Sequence, residues 1–83
     1  MQTAETASTL RDFVIANFYI PPGMRLDEST SFLEQGIIDS TGVLELVTFI
    51  EDRFGVTVRD EDLVPDNFDS LRALAAFVDR MRA

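Results

Sequence analysis

The sequence predicts an all-α fold, a small three- to four-helix antiparallel bundle with a long first loop. Three observations carry this expectation. Three stretches space their apolar residues three and four apart, as a buried helix face requires. Pro21-Pro22-Gly23 and Gly55 punctuate the chain where helices must end. The one β-prone segment, Val56-Thr57-Val58, has no partner strand to pair with. Eighty-three residues read as a single domain, 1–83. A chain of this size buries only about 60–65% of its unfolded surface, so net stability should be about 4–12 kcal/mol.

The opening residues 1–7 are small and polar, and fraying is expected at the terminus. From Thr3 or Ser8 to Phe18 the pattern is helical, with Leu10, Phe13, Val14 and Phe18 on one face. This helix must stop near Tyr19-Ile20, because Pro21 restricts the residue before it and Pro22 lacks an amide donor. Residues 21–39 read as a loop, long enough to be functional or anchored. Leu26, Phe32 and Leu33 are expected to pin it to the core. Ser31 to Gly36 predicts one helical turn, capped by Ser31, with Glu34 at the capping-box position and Gly36 left-handed at its end.

The second helix is expected from Ser40 to Arg53, with Asp39 or Ser40 as N-cap and Gly55 as its stop. Val43, Leu46 or Val47, Ile50 and Phe54 form its inward stripe. Leu44 and Phe49 widen the apolar face. Val56 to Val58 reads as an extended connector with both valines tucked in. Asp60 to Val64 predicts a short helical turn ending before Pro65. The last helix spans Phe68 to Met81, capped by Asp66 or Asn67, with Leu71, Leu74, Ala75 and Val78 inward. Arg80 and Arg82 complement the dipole at its C-terminal end.

Composition removes whole classes of function. There is no histidine and no cysteine. A Ser-His-Asp triad, a cysteine nucleophile, a His/Cys zinc site and a disulfide framework are therefore excluded. No lysine is present either, and no nucleophile–base pair is legible, so the chain does not read as an enzyme. A net charge of −8 disfavours nucleic acid and favours partners with basic docking patches. The acidic cluster of Asp60, Glu61, Asp62, Asp66 and Asp69 lacks the glycine and terminal glutamate of a calcium loop, so it reads as a solvated face and no metal site is expected. No run is apolar enough for a bilayer, and the N-terminal stretch has no basic start and apolar core. The cytoplasm is the expected location and a monomer the expected state, with no membrane partner.

Ser40 is the residue of chemical interest. At a helix N-terminus, unpaired amides and the dipole favour an anion, so a phosphate ester would be well placed there. The plainer reading makes Asp39-Ser40 an ordinary cap. Thr41, Glu45, Thr48, Glu51 and Asp52 form the exposed side of the same helix, and Leu44, on its widened apolar face, joins them as a candidate docking contact. They are either a solubilising face or a docking strip for basic partners.

The run Phe32-Leu33-Glu34-Gln35-Gly36-Ile37-Ile38-Asp39-Ser40, followed by Val43-Leu44-Glu45-Leu46 and Ile50-Glu51-Asp52-Arg53-Phe54-Gly55-Val56, resembles the acyl carrier protein family over nearly the whole chain. The resemblance implies an acyl-carrier-like bundle in which Ser40 carries 4′-phosphopantetheine, attached from coenzyme A by a phosphopantetheinyl transferase. It implies that Asp39 helps the transferase and its metal engage the site. The arm would supply the thiol that the chain lacks and hold an acyl or aminoacyl thioester. Partners in trans would be that transferase, an acyl- or aminoacyl-loading ligase and a downstream acceptor enzyme. Thr41 after the serine departs from the large apolar residue usual in the family, and Gly42 and Ile38 depart from the fatty-acid carriers. The lead-in loop, Glu34-Gln35-Gly36-Ile37-Ile38, is closer to carriers of amino acids and secondary-metabolite acyl groups. The alternative is an acidic helical protein-interaction domain without the prosthetic group.

Overall fold

The computed structural model describes residues 2–82, with side chains described from residue 5. Four helices follow one another: α1 (Gln2–Asn17), α2 (Ser40–Phe54), α3 (Pro65–Phe68) and α4 (Leu71–Arg82). A 3-10 turn at Asp60–Asp62 precedes α3. No strand occurs among the described residues, and Val56 to Val58 is an extended connector with both valines half-buried, as the sequence predicts. The all-α bundle with its long first loop is therefore the observed architecture.

The core is drawn from all four helices and the first loop. Leu10 and Val14 of α1, Leu46 and Ile50 of α2, Phe68 of α3, and Leu71, Leu74, Ala75, Phe77 and Val78 of α4 are buried together. Leu26, Phe32, Ile37 and Ile38 join them from the loop. α1 packs chiefly on α4, and α4 also covers α3. Buried Thr6 ties the first of these pairs, its hydroxyl donating to Asp79 at 2.9 Å. α2 meets α1 through large side chains, with Phe13 and Phe49 stacked at 4.1 Å between ring centres.

Several expectations need correction. α1 begins at Gln2, so of the two expected starts Ser8 is too late; the fraying expected at the terminus falls partly on Met1, outside the described residues. The last helix does not start at Phe68, and neither Asp66 nor Asn67 caps it. Those residues lie inside α3, which Pro65 opens at its first position. Asp69 and Ser70 separate α4 from α3, and Ser70 provides the cap of α4 by accepting from the Ala73 amide at 3.1 Å. Leu33 does not pin the loop: it is 57% exposed. The turn of Ser31 to Gly36 sends Phe32 inward and Leu33 outward, and Ile37 and Ile38 take the burying role instead.

The first loop is fastened along its length rather than left free. Arg11 donates to the Leu26 carbonyl. The Arg72 amide donates to the Glu28 carbonyl at 3.0 Å. Asp69, which ends α3, takes a bond from the Ser31 hydroxyl at 2.6 Å and from the Leu33 amide at 2.9 Å. Its own carbonyl accepts from the Phe32 amide at 2.8 Å. The turn itself is as predicted, with Ser31 accepting from the Glu34 amide at 3.2 Å and Gly36 at φ 67°.

Candidate functional site

The centre of the candidate site is the junction of the first loop and α2. Asp39 is the N-cap: its backbone is extended, and its carboxylate accepts from the Gly42 amide at 2.8 Å. Its carbonyl accepts the first helical bond, from Val43, at 2.9 Å. Ser40 is thus the first helical residue and not the cap, which resolves the two options left by sequence. Its side chain is exposed. The Ser40 and Thr41 amides have no acceptor among the described residues, as expected at a helix start.

Two buried neighbours hold this junction in place. Ile38 is buried just before the cap. Gly42 is buried just after it, with the Phe18 ring and the Ile38 side chain against its Cα. A Cβ built there would lie 2.8 Å from Phe18 and 2.9 Å from Ile38. The sequence marks Gly42 only as a departure from a familiar pattern. Its packing role has no local sequence signal, because Phe18 arrives from 24 residues away.

Beside Ile38 and Val43 lies an apolar cleft of about 180 Å³. Phe32 and Leu33 line it from the loop, and Leu63, Val64 and Phe68 from the far side. The one carboxylate on its wall is that of Asp69. Sequence reasoning places Phe32 and Leu33 as loop anchors, Val43 on the inward stripe of α2, Leu63 and Val64 in the turn before Pro65 and Phe68 at the start of the last helix, and does not group them.

The exposed side of α2 is as the sequence lays it out, with one exception. Thr41, Glu45, Thr48 and Asp52 are exposed, and Leu44 is 62% exposed. Glu51 is half-buried, and its carboxylate accepts from the Val58 amide at 2.9 Å. That bond secures the connector after α2. No group of His, Cys, Asp or Glu side chains among the described residues is arranged to hold a metal ion. No helix of the described residues is long and apolar enough to cross a membrane.

Comparison with known proteins identifies the family. The family model for the phosphopantetheine attachment site matches residues 8–78. The chain is 31% identical over 58 residues to a probable acyl carrier protein, PigG, from Serratia sp., covering 70% of this chain and 67% of that protein. It is 25% identical over 80 residues to the acyl carrier protein of Zymomonas mobilis, covering 96% and 99%. Among solved structures, a chain in the crystal structure of an FAD-dependent dehydrogenase superposes with a TM-score of 0.73 at 28% identity. The match covers 83% of this chain and 97% of that one.

Proposed function

Given that the chain belongs to the acyl carrier protein family of phosphopantetheine-bearing carriers, we propose that Ser40 is its attachment residue and that its cargo is an aminoacyl or short secondary-metabolite acyl group. The family carries 4′-phosphopantetheine covalently, and its members are carriers rather than enzymes. When bound, the group supplies the thiol for a thioester, which this chain, having no cysteine, cannot supply itself.

The carrying observation is the exposed Ser40 hydroxyl at the first position of α2, beside the capping Asp39 carboxylate. The residues fit a phosphodiester. Two amides, of Ser40 and Thr41, face out of the helix end where negative charge is favoured. One Asp39 oxygen holds the Gly42 amide, and the other is open to a transferase and its metal. Burial of Ile38 and Gly42 fixes the helix start, so the hydroxyl is held out in a defined position.

One observation supports small cargo, and a second points to an acceptor class. The adjoining cleft, at about 180 Å³, is below the 300–1,000 Å³ usual for ligand pockets. A chain of about this length, with 28% identity, occurs in the crystal structure of an FAD-dependent dehydrogenase, so a flavoenzyme acting on carrier-bound cargo is a fitting acceptor class. We read residues 1–83 as one carrier domain, cytoplasmic and monomeric. Its partners are a transferase, a loading ligase and the acceptor, docking on Thr41, Leu44, Glu45, Thr48 and Asp52.

The test is intact mass after incubation with coenzyme A and a promiscuous phosphopantetheinyl transferase, followed by peptide mapping. The expected result is a gain of one phosphopantetheine on Ser40. An unchanged mass, with a control carrier fully converted, overturns the reading in favour of an interaction domain whose Asp39-Ser40 is only a cap.

A further inference from the structure

Phe18 directly follows α1, and its amide still donates to the Val14 carbonyl at 2.9 Å. Pro21 and Pro22 come soon after and end the helical path. Phe18 is thus the last ring carried at this end of α1, and it stands over Gly42 in the first turn of α2. Two of its ring carbons lie 2.8 and 3.4 Å from the place a Cβ would take there. Glycine leaves the ring room that a side chain would fill.

Phe18 also meets Phe13 edge-on at 6.1 Å between ring centres, and Phe13 stacks on Phe49 at 4.1 Å. α1 therefore grips α2 at two points, Gly42 and Phe49. At about 1.5 Å and 100° per residue, these points are about 10 Å apart along α2 and within about 20° of one line. Because α1 makes its close packing with α4, it is these rings that set the place of α2 against α1. Ser40 lies about 160° round the helix from Gly42, so it faces away from the seat. The depth of the seat fixes how far the first turn, and with it the serine, stands out. This is separate from the cap, whose oxygen comes from Asp39.

We propose that Phe18 is a positioning residue for the modification of Ser40, acting through Gly42 behind it. The inference rests on the carrier reading above. In that reaction the Ser40 oxygen bonds to the pantetheine-bearing phosphorus of coenzyme A. The bond from that phosphorus to the bridging diphosphate oxygen breaks. Adenosine bisphosphate leaves with the electron pair, and the hydroxyl proton passes to a base of the transferase. Such a displacement tolerates little error in the attacking oxygen, since a misplacement of about 1 Å can slow a reaction about a hundredfold.

The test measures KM and kcat for Ser40 modification of the full chain, by intact mass with coenzyme A and a promiscuous transferase. The carrier is the substrate here. A variant that only unfolds has less competent substrate, which raises KM and leaves kcat at saturation unchanged. A displaced hydroxyl lowers kcat. Phe18→Leu should lower kcat about three- to tenfold. Phe54→Leu loses an equal ring about 20 Å along α2 from Ser40 and should leave kcat unchanged. Gly42→Ala should lower kcat as well. Adding Phe18→Leu to it should raise kcat again, because leucine lacks the ring atoms that the new methyl group meets. Equal kcat for Phe18→Leu and Phe54→Leu, or a double variant no faster than Gly42→Ala, would overturn the positioning role and leave the carrier reading intact. Failure of the wild-type chain to be modified on Ser40 would overturn both. Circular dichroism of each variant identifies any loss of helix, and where Phe18→Leu shows one, Phe18→Met carries the same comparison.

Discussion

Asp39 and Ser40 have separable structural duties, because the cap bond belongs to Asp39 alone. Ser40→Ala removes an exposed hydroxyl that bonds no group among the described residues, so stability should change by less than about 0.5 kcal/mol. Loading should nevertheless be abolished, as intact mass would show. Asp39→Ala removes the cap and should cost about 1 kcal/mol, whereas Asp39→Asn retains a competent cap and should cost only a few tenths. Urea melts of the pair check this, and any loading defect in Asp39→Asn then reports the lost charge. Gly42 is the tightest position. Alanine would gain about 1 kcal/mol of helix propensity but would sit 2.9 Å from the Ile38 side chain, which is rooted next to the backbone. Overpacking of this kind costs about 1–3 kcal/mol, so Gly42→Ala should be net destabilising by about 1 kcal/mol, read by the same melts.

At the scale of elements, the first loop behaves as a fastened strap. Asp69→Ala would strand the Ser31 hydroxyl and the Leu33 amide, at a cost of about 1–3 kcal/mol. Hydrogen exchange at the Leu33 amide should quicken, while Phe32, held by the Asp69 carbonyl, should remain protected. The strap also carries a pH-sensitive turn. The Ser29 amide, and then the Thr30 hydroxyl, hold the Asp27 carboxyl below its ordinary value. A lowered folded value means that the turn's contribution is present above the unfolded pKa of about 3.9 and is lost as pH falls through the folded one. An NMR titration of the Ser29 amide should therefore have its midpoint below 3.9. Much at this scale was legible in the sequence. Prolines and glycines marked the ends of α1 and α2, and period 3.6 marked their inward faces. The start of α4 was not legible, because Asp66, Asn67 and Ser70 are all good caps, and Asp66 and Asn67 are taken up inside α3, which Pro65 opens. The outward turn of Leu33 is not legible either, because a single turn gives no periodicity to separate its two sides. The site serine and its flanks could be read directly. The cleft and the seat of Phe18 on Gly42 could not, since each is assembled from residues far apart in the chain.

For the whole molecule, charge is the dominant feature. A net −8 should make association with basic partners fast at low salt and steeply weaker as ionic strength rises. Transferase KM should climb between about 20 and 300 mM salt, with kcat nearly constant. Glu45→Lys should flatten that dependence without unfolding the chain.

The fastening of the first loop also sets a timetable. Its anchors at Asp69 and Arg72 are made some 30 residues after Ser40, and the packing partners of α1 lie mostly in α4. A nascent chain that has emerged only to residue 60 holds the serine and the Arg11 bond to Leu26, but not the Asp69 and Arg72 anchors that fasten the rest of the loop. The hydroxyl is therefore synthesised early and presented late, and a transferase that requires the finished helix start acts only once Asp69 and α4 are available to fasten the loop.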